Sequence, residues 1–126
     1  MFGDTELYTL LNVTGVTSLL GNDINGVPAL FNDNLIPQDC PAKSTVNFYL
    51  SSPYDPSLPY GLYRYSINCR AATYTEACTI AYAVVSAVHR VSGDDYFASC
   101  TILPVIAPVD DRDTYNCVVE LTLKTR

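Results

Sequence analysis

The chain has 126 residues, 48% of them hydrophobic and only 16% charged, with a net charge of −6. That length makes one domain, 1–126, able to bury about two thirds of the surface its unfolded form exposes. The acidity argues against tightly held nucleic acid, which needs Lys and Arg on its phosphates, and no apolar run approaches the roughly twenty residues of a membrane span.

A first helix starts near Asp4 or Thr5, either able to cap it, and carries Leu7, Leu10 and Leu11 at i, i+3, i+4 spacing. Asn12 to Thr14 read as a break. Val16, Leu19 and Leu20 then give a second short apolar face ending at Gly21, a natural residue just past a helix end. Residues 21–44 hold Asn25-Gly26, three prolines and several Asn and Asp. Asn-Gly predicts a tight turn with a small hairpin around it, and a connection this long in a compact domain is often functional.

Strand patterns follow. Thr45–Leu50 offers Val46, Phe48 and Leu50 to one side. Leu62–Ala71 alternates Tyr63, Tyr65, Ile67, Cys69 and Ala71 against Leu62, Arg64, Ser66, Asn68 and Arg70. Between them Ser51–Gly61, with three prolines, reads as an extended loop. A helix over Tyr74–Val91 opens with a capping box of Thr73 and Glu76 and is stopped by Ser92-Gly93. Ala77, Cys78, Ala81, Val84, Val85 and Val88 form its apolar face, small enough to lie close on a sheet. The strand Ala98–Ala107 is an edge or a bulged one, because Pro104 and Pro108 cannot donate to a ladder. Tyr115–Thr125 closes the pattern, with Tyr115, Cys117, Val119, Leu121 and Leu123 on its inner side. The fold class is α+β: an antiparallel sheet of about four strands with helices packed on one face, in the order α-α-β-β-α-β-β.

Ten tyrosines against so few charges exceed what a small monomer hides easily. Protein–protein contacts take up such an excess, since they enrich aromatic residues and deplete charges. Asp4, Glu6, Asp23, Asp33 and Asp39 all precede the first basic side chain, Lys43. This acidic stretch suits a face that repels DNA or meets a basic partner, and equally a solvated surface. Asp4, Glu6, Asp23, Asp33 and Asp39 are therefore interface candidates, together with Tyr54 and Tyr60 of the second loop.

Five cysteines, at 40, 69, 78, 100 and 117, are an odd set without CxxC spacing. Thiols scattered through regular elements behave as small buried hydrophobes, zinc sites favour paired spacing, and secreted frameworks favour even counts. MFGDTELYTLLN lacks a basic n-region and a continuous apolar core, so no signal peptide is expected. A reducing cytoplasmic site of assembly follows, with the sequon Asn12-Val13-Thr14 idle.

Catalytic patterns are thin. His89 is the only histidine and reads as an ordinary surface residue; Asp110, Asp111 and Asp113 read as a turn, without the glycine and spaced ligands of a calcium loop. Asp94-Asp95 read as solvated. No phosphate-cradling glycine loop, GxSxG or HExxH occurs. The expectation is a protein that is not an enzyme, with no cofactor and no metal.

The N-terminal Leu-Leu helix, Val16-Thr17-Ser18-Leu19-Leu20-Gly21, and Ile36-Pro37-Gln38-Asp39-Cys40-Pro41 leading into Val46-Asn47-Phe48-Tyr49 resemble the tail terminator or tail completion proteins of tailed bacteriophages. These are relatives of the lambda tail terminator and of tail-to-head joining proteins. The order of elements carries the resemblance on through Tyr63–Arg70 and Glu76–Val88; the Ser51–Gly61 loop departs from it. The resemblance implies a structural virion protein, assembled in the host cytoplasm and resident in the tail or neck. It would form a homohexameric ring on the last tail-tube ring, stop polymerisation and present a surface to the head connector. DNA would pass through the lumen unheld, repelled by carboxylates, and each subunit would give edge strands and Tyr side chains to its neighbours. The loops 21–44 and 51–61 would extend from the body to contact neighbouring subunits or rings. A head-completion or connector protein shares size and ring assembly, although this order of elements disfavours it. A small acidic cytoplasmic binding module is the other alternative, distinguished by remaining monomeric until it meets a basic partner.

Overall fold

The computed structural model describes residues 3–33, 35–52, 62–93, 96–105 and 114–125. Three helices, α1 (Asp4–Leu11), α2 (Thr14–Thr17) and α3 (Tyr74–Val88), pack on one face of a sheet built from β1 (Leu30–Asn32), β2 (Thr45–Ser52), β3 (Leu62–Ala71), β4 (Tyr96–Ile102) and β5 (Tyr115–Thr125). The sheet order is β1-β2-β3-β5-β4. β2, β3, β5 and β4 pair antiparallel.

The expected sheet of about four antiparallel strands is therefore corrected to a mixed sheet of five. β1 runs parallel to β2, with Leu30 opposite Val46 and Asn32 opposite Phe48. A parallel neighbour needs a long return connection, and 33–44 supplies it. Those residues do not simply extend from the body as a loop: Cys40 and Ala42 are buried with Ala29 in a small second core that Phe31 and Ile36 flank. The Asn25-Gly26 turn forms as expected. Asp23 N–H donates to Val27 O, Asn22 bridges Pro28, and Gly26 adopts φ 79°, which favours glycine. Gly21 serves differently from a helix terminator. Its amide donates to Ser44 O, and a Cβ there would meet the Ala42 Cβ at 2.7 Å.

The alternation in the long strands holds. Tyr63, Tyr65, Ile67, Cys69 and Ala71 of β3 and Cys117, Val119, Leu121 and Leu123 of β5 are buried. Tyr63 lies opposite Leu123 and Ile67 opposite Val119. The row on β2 stops at Phe48. A register shift falls between Leu50 and Ser52, and Leu50 is 44% exposed. Phe48 packs its ring edgewise on Tyr65 at 6.4 Å, so part of the tyrosine excess belongs to the core.

α3 begins as its sequence dictates, with the Thr73 hydroxyl accepting from the Glu76 amide. Its buried stripe is Ala77, Ile80, Ala81, Val84 and Val88, rotated toward Ile80 and leaving Cys78 and Val85 only half-buried. Leu7, Leu11 and Val16 reach the same core from α1 and α2. Each large apolar side chain enclosed in this way stabilises the fold by about 1.5–3 kcal/mol. α3 ends at Val88, earlier than the expected Val91, because His89 already leaves the helical region at ψ 132°; Arg90 then turns to φ 61° and the chain doubles back along β4. β4 is an edge strand, as its prolines suggested, with β1 at the opposite edge, and it stops at Ile102. The segment 53–61, Asp94-Asp95 and Asp110, Asp111 and Asp113 lie outside the described residues. No described helix is long and apolar enough to cross a membrane.

Candidate assembly surface

The acidic candidates prove to be mostly local fasteners. Asp4 Oδ1 accepts the Tyr65 hydroxyl at 2.6 Å and Oδ2 accepts from Asn32 Nδ2 at 3.0 Å, tying the start of α1 to β3 and β1. These hydrogen bonds, Tyr65 first, hold its carboxyl below the usual range against a smaller opposing effect of burial. Glu6 reaches back to accept from the Gly3 amide at 3.0 Å, which satisfies a free donor at the helix start. Asp23 accepts from the amides of Asn25 and Val27 and fixes the tight turn. Asp33 Oδ1 accepts from the Leu35 amide. Asp39 is exposed on the return connection. Glu6, Asp23 and Asp33 thus each bond an amide within four residues, while Asp4 reaches across to β3 and β1. Tyr54 and Tyr60 lie outside the described residues.

A different surface emerges at the other side of the sheet. Tyr74, Cys78, Ala81 and Tyr82 of α3, Ile102 at the end of β4, the segment 103–105 and Cys117 surround a small open recess whose lining carries no charged residue. Tyr82 is 65% exposed and Tyr74 59%, and Ile102 and Leu103 are exposed beside them. Tyr74 is steadied edge-on by Tyr115, ring centroids 6.5 Å apart. Large apolar side chains grouped around a recess are the kind of surface that associates. The sequence held a usable signal: Tyr74, Cys78 and Tyr82 recur at i, i+4, i+8 and so share one face of α3.

The neighbouring β4 edge is closed to strand pairing over much of its length. Arg90 N–H donates to Ala98 O, Ala98 N–H to Val91 O and Gly93 N–H to Tyr96 O. One step further, His89 Nδ1 accepts from the Cys100 amide at 3.0 Å, which places the neutral ring's proton on Nε2. His89 is thus an edge cap rather than an ordinary surface residue. These bonds leave less free backbone on β4 for pairing with another strand.

The sheet face away from the helices is polar. Asn116 Nδ2 donates to Asn68 Oδ1, Asn47 Nδ2 donates to Asp33 O, and Arg64 lies 3.6 Å from Glu120. Among the described residues, no group of three His, Cys, Asp or Glu is placed to share a cation. Nor do the described hydrogen bonds pair His89 with a nucleophile; its partner is a backbone amide.

Neither a family model nor a curated protein matches the chain. The architecture itself is similar to that of a solved chain from the virion of a native gene transfer agent (GTA) particle. The TM-score is 0.62 over 94% of this chain and 90% of that one, at 15% sequence identity. At that identity the similarity is one of fold.

Proposed function

We propose that the protein is a structural subunit of a phage-like particle and acts there as a tail terminator. In this reading it forms a ring of six copies that caps the tail tube, stops its polymerisation and joins it to the head connector. The observation that carries the reading is the near end-to-end match of fold with a chain of the GTA virion. It agrees with the resemblance drawn from Val16–Gly21 and Ile36–Pro41.

The surface supports an assembling role in which the chain is not an enzyme and carries no metal or cofactor. Tyr74, Tyr82, Ile102 and Leu103 form the apolar contact between adjacent subunits, where they are withdrawn from water. A surface patch on one side of the sheet that meets a different surface of the next copy generates a ring when the rotation closes. The net charge of −6 lets DNA pass through such a ring without being held.

The test is removal of the gene from a particle-producing strain, followed by electron microscopy of the lysate. Filled heads alongside tails of abnormal length, or tails unable to join, are expected. Normal-length tails that still join heads would reject the terminator reading.

A further inference from the structure

Three cysteines meet beneath the first half of α3. Cys69 and Cys117 are direct partners across β3 and β5. Cys78, on α3, lines the apolar recess together with Cys117, and the two thiols are interacting neighbours. The Cys117 thiol also lies 3.8 Å from Leu103 O, to which it donates weakly. All five cysteines are free thiols. Cys117 and Cys69 are buried, whereas Cys78 is half-buried at the recess. The most exposed cysteine of the three therefore sits next to a second thiol, in a recess a small molecule can enter.

We propose that, in the subunit before it assembles, Cys78 and Cys117 are an oxidisable dithiol, which a hydroperoxide entering the still open recess converts to a disulfide tying α3 to β5. The Cys78 thiolate attacks one peroxide oxygen and the O–O bond breaks. Cys78 becomes a sulfenic acid, and the departing hydroxide takes up the thiol's proton as water. The Cys117 sulfur then attacks the sulfenic sulfur. The S–S bond forms, the S–O bond breaks, and hydroxide leaves with the Cys117 proton as a second water. Two thiols give up two electrons to one hydrogen peroxide, yielding one disulfide and two waters.

Burial, and then the neighbouring Cys78, push the Cys117 thiol above its ordinary range, so the second step is slow at neutral pH and accelerates as pH rises. Burial pushes Cys69 up as well, which leaves it a poor competitor despite its position opposite Cys117. Cys100 lies on β4 opposite Leu121, and burial pushes its thiol up to about 11. The disulfide would close a loop of about forty residues and raise the melting temperature by about 10 °C.

The sequence makes the test clean, because trypsin places each cysteine in its own peptide: 1–43, 65–70, 71–90, 91–112 and 113–124. The reduced full-length protein is treated with equimolar hydrogen peroxide at pH 8, then denatured, alkylated, digested and mapped by mass spectrometry. A link between 71–90 and 113–124 is expected, with free thiols falling from five to three, a higher melting temperature and full reversal by dithiothreitol. Cys78→Ser, a change at a half-buried position, must abolish the link, and Cys69→Ser must leave it intact. A link between 65–70 and 113–124, a dimer joined through Cys78, or Cys78 oxidised to the sulfinic acid without a link would each overturn the proposal.

Discussion

The Tyr65 hydroxyl donates to Asp4 Oδ1 at 2.6 Å, a contact between residues 61 positions apart that locks α1 onto the central strand β3. Tyr65 packs against Phe48 and Tyr63, so the hydroxyl is held by rings on two sides before it meets the carboxylate. A hydrogen bond to a charged group contributes about 1.5–3 kcal/mol. Tyr65→Phe keeps the ring and removes only that bond, so urea unfolding should show a loss of about 1.5–2 kcal/mol. Asp4→Asn should cost a similar amount, and the double variant clearly less than the sum.

The same pair sets a pH window. Asp4 has a lowered folded pKa, through Tyr65 and then Asn32, so its contribution is fully present above the unfolded carboxylate value and lost as pH falls through the folded one. Tyr65 is raised, by burial first and then by Asp4, so its contribution is present below the unfolded tyrosine value and lost as pH rises through the folded one. The stability gap between the wild type and Asp4→Asn should therefore be widest near neutrality and shrink by about pH 3. A gap that stays constant over that range would contradict this assignment.

Which parts of this were legible follows from how the information is carried. β3 and β5 alternate for the whole of Tyr63–Ala71 and Tyr115–Leu123, and a period repeated that often fixes which face is buried. Thr73 and Glu76 fix the start of α3 because capping is local chemistry. β1 is only Leu30–Asn32, too short for a period, and its parallel pairing depends on a partner beyond the return connection. The roles of Asp4 and His89 were illegible for a related reason: each side chain's partner lies in a different element, and nothing in the local sequence names Tyr65 or the Cys100 amide. The local bonds of Glu6, Asp23 and Asp33 were hidden within the acidity as well, because capping and turn formation use the same residue types as a charged face.

His89 extends the protection of β4 beyond Ala98 by taking the Cys100 amide. His89→Ala should cost about 1 kcal/mol for the lost bond. The more specific readout is hydrogen exchange, where the Cys100 amide should lose protection while amides of β3 hold theirs. With its edge opened, the variant should also associate more readily at high concentration.

Arg90 adopts φ 61°, a conformation that side chains with a Cβ rarely take. Its amide bonds to Ala98 O, so the conformation is required for the turn from α3 into the pairing with β4. Arg90→Gly should relieve this strain and stabilise the protein by about 0.5–1 kcal/mol, visible as a rise of a few degrees in melting temperature. Arg90→Val should do the opposite, since a β-branched side chain resists that backbone most.

Tyr82 separates stability from assembly. It stands on α3 at the recess, 65% exposed, whereas α3 is held to the sheet by a buried stripe that includes Ala77, Val84 and Val88. Replacing an exposed side chain away from caps and cores usually changes stability by no more than about 0.5 kcal/mol. Tyr82→Arg should therefore melt near the wild-type temperature. At the centre of the proposed subunit contact, however, an unpaired guanidinium would have to be stripped of water without a partner, which typically costs several kcal/mol. The variant should consequently fold as a monomer, fail to join rings or tails in an assembly reaction, and fail to restore particles in a strain lacking the gene. Glu76→Gln, a change on α3 that removes charge outside the recess lining, serves as the control and should assemble normally. Assembly by Tyr82→Arg at wild-type levels would show that the subunit contact lies elsewhere on the molecule.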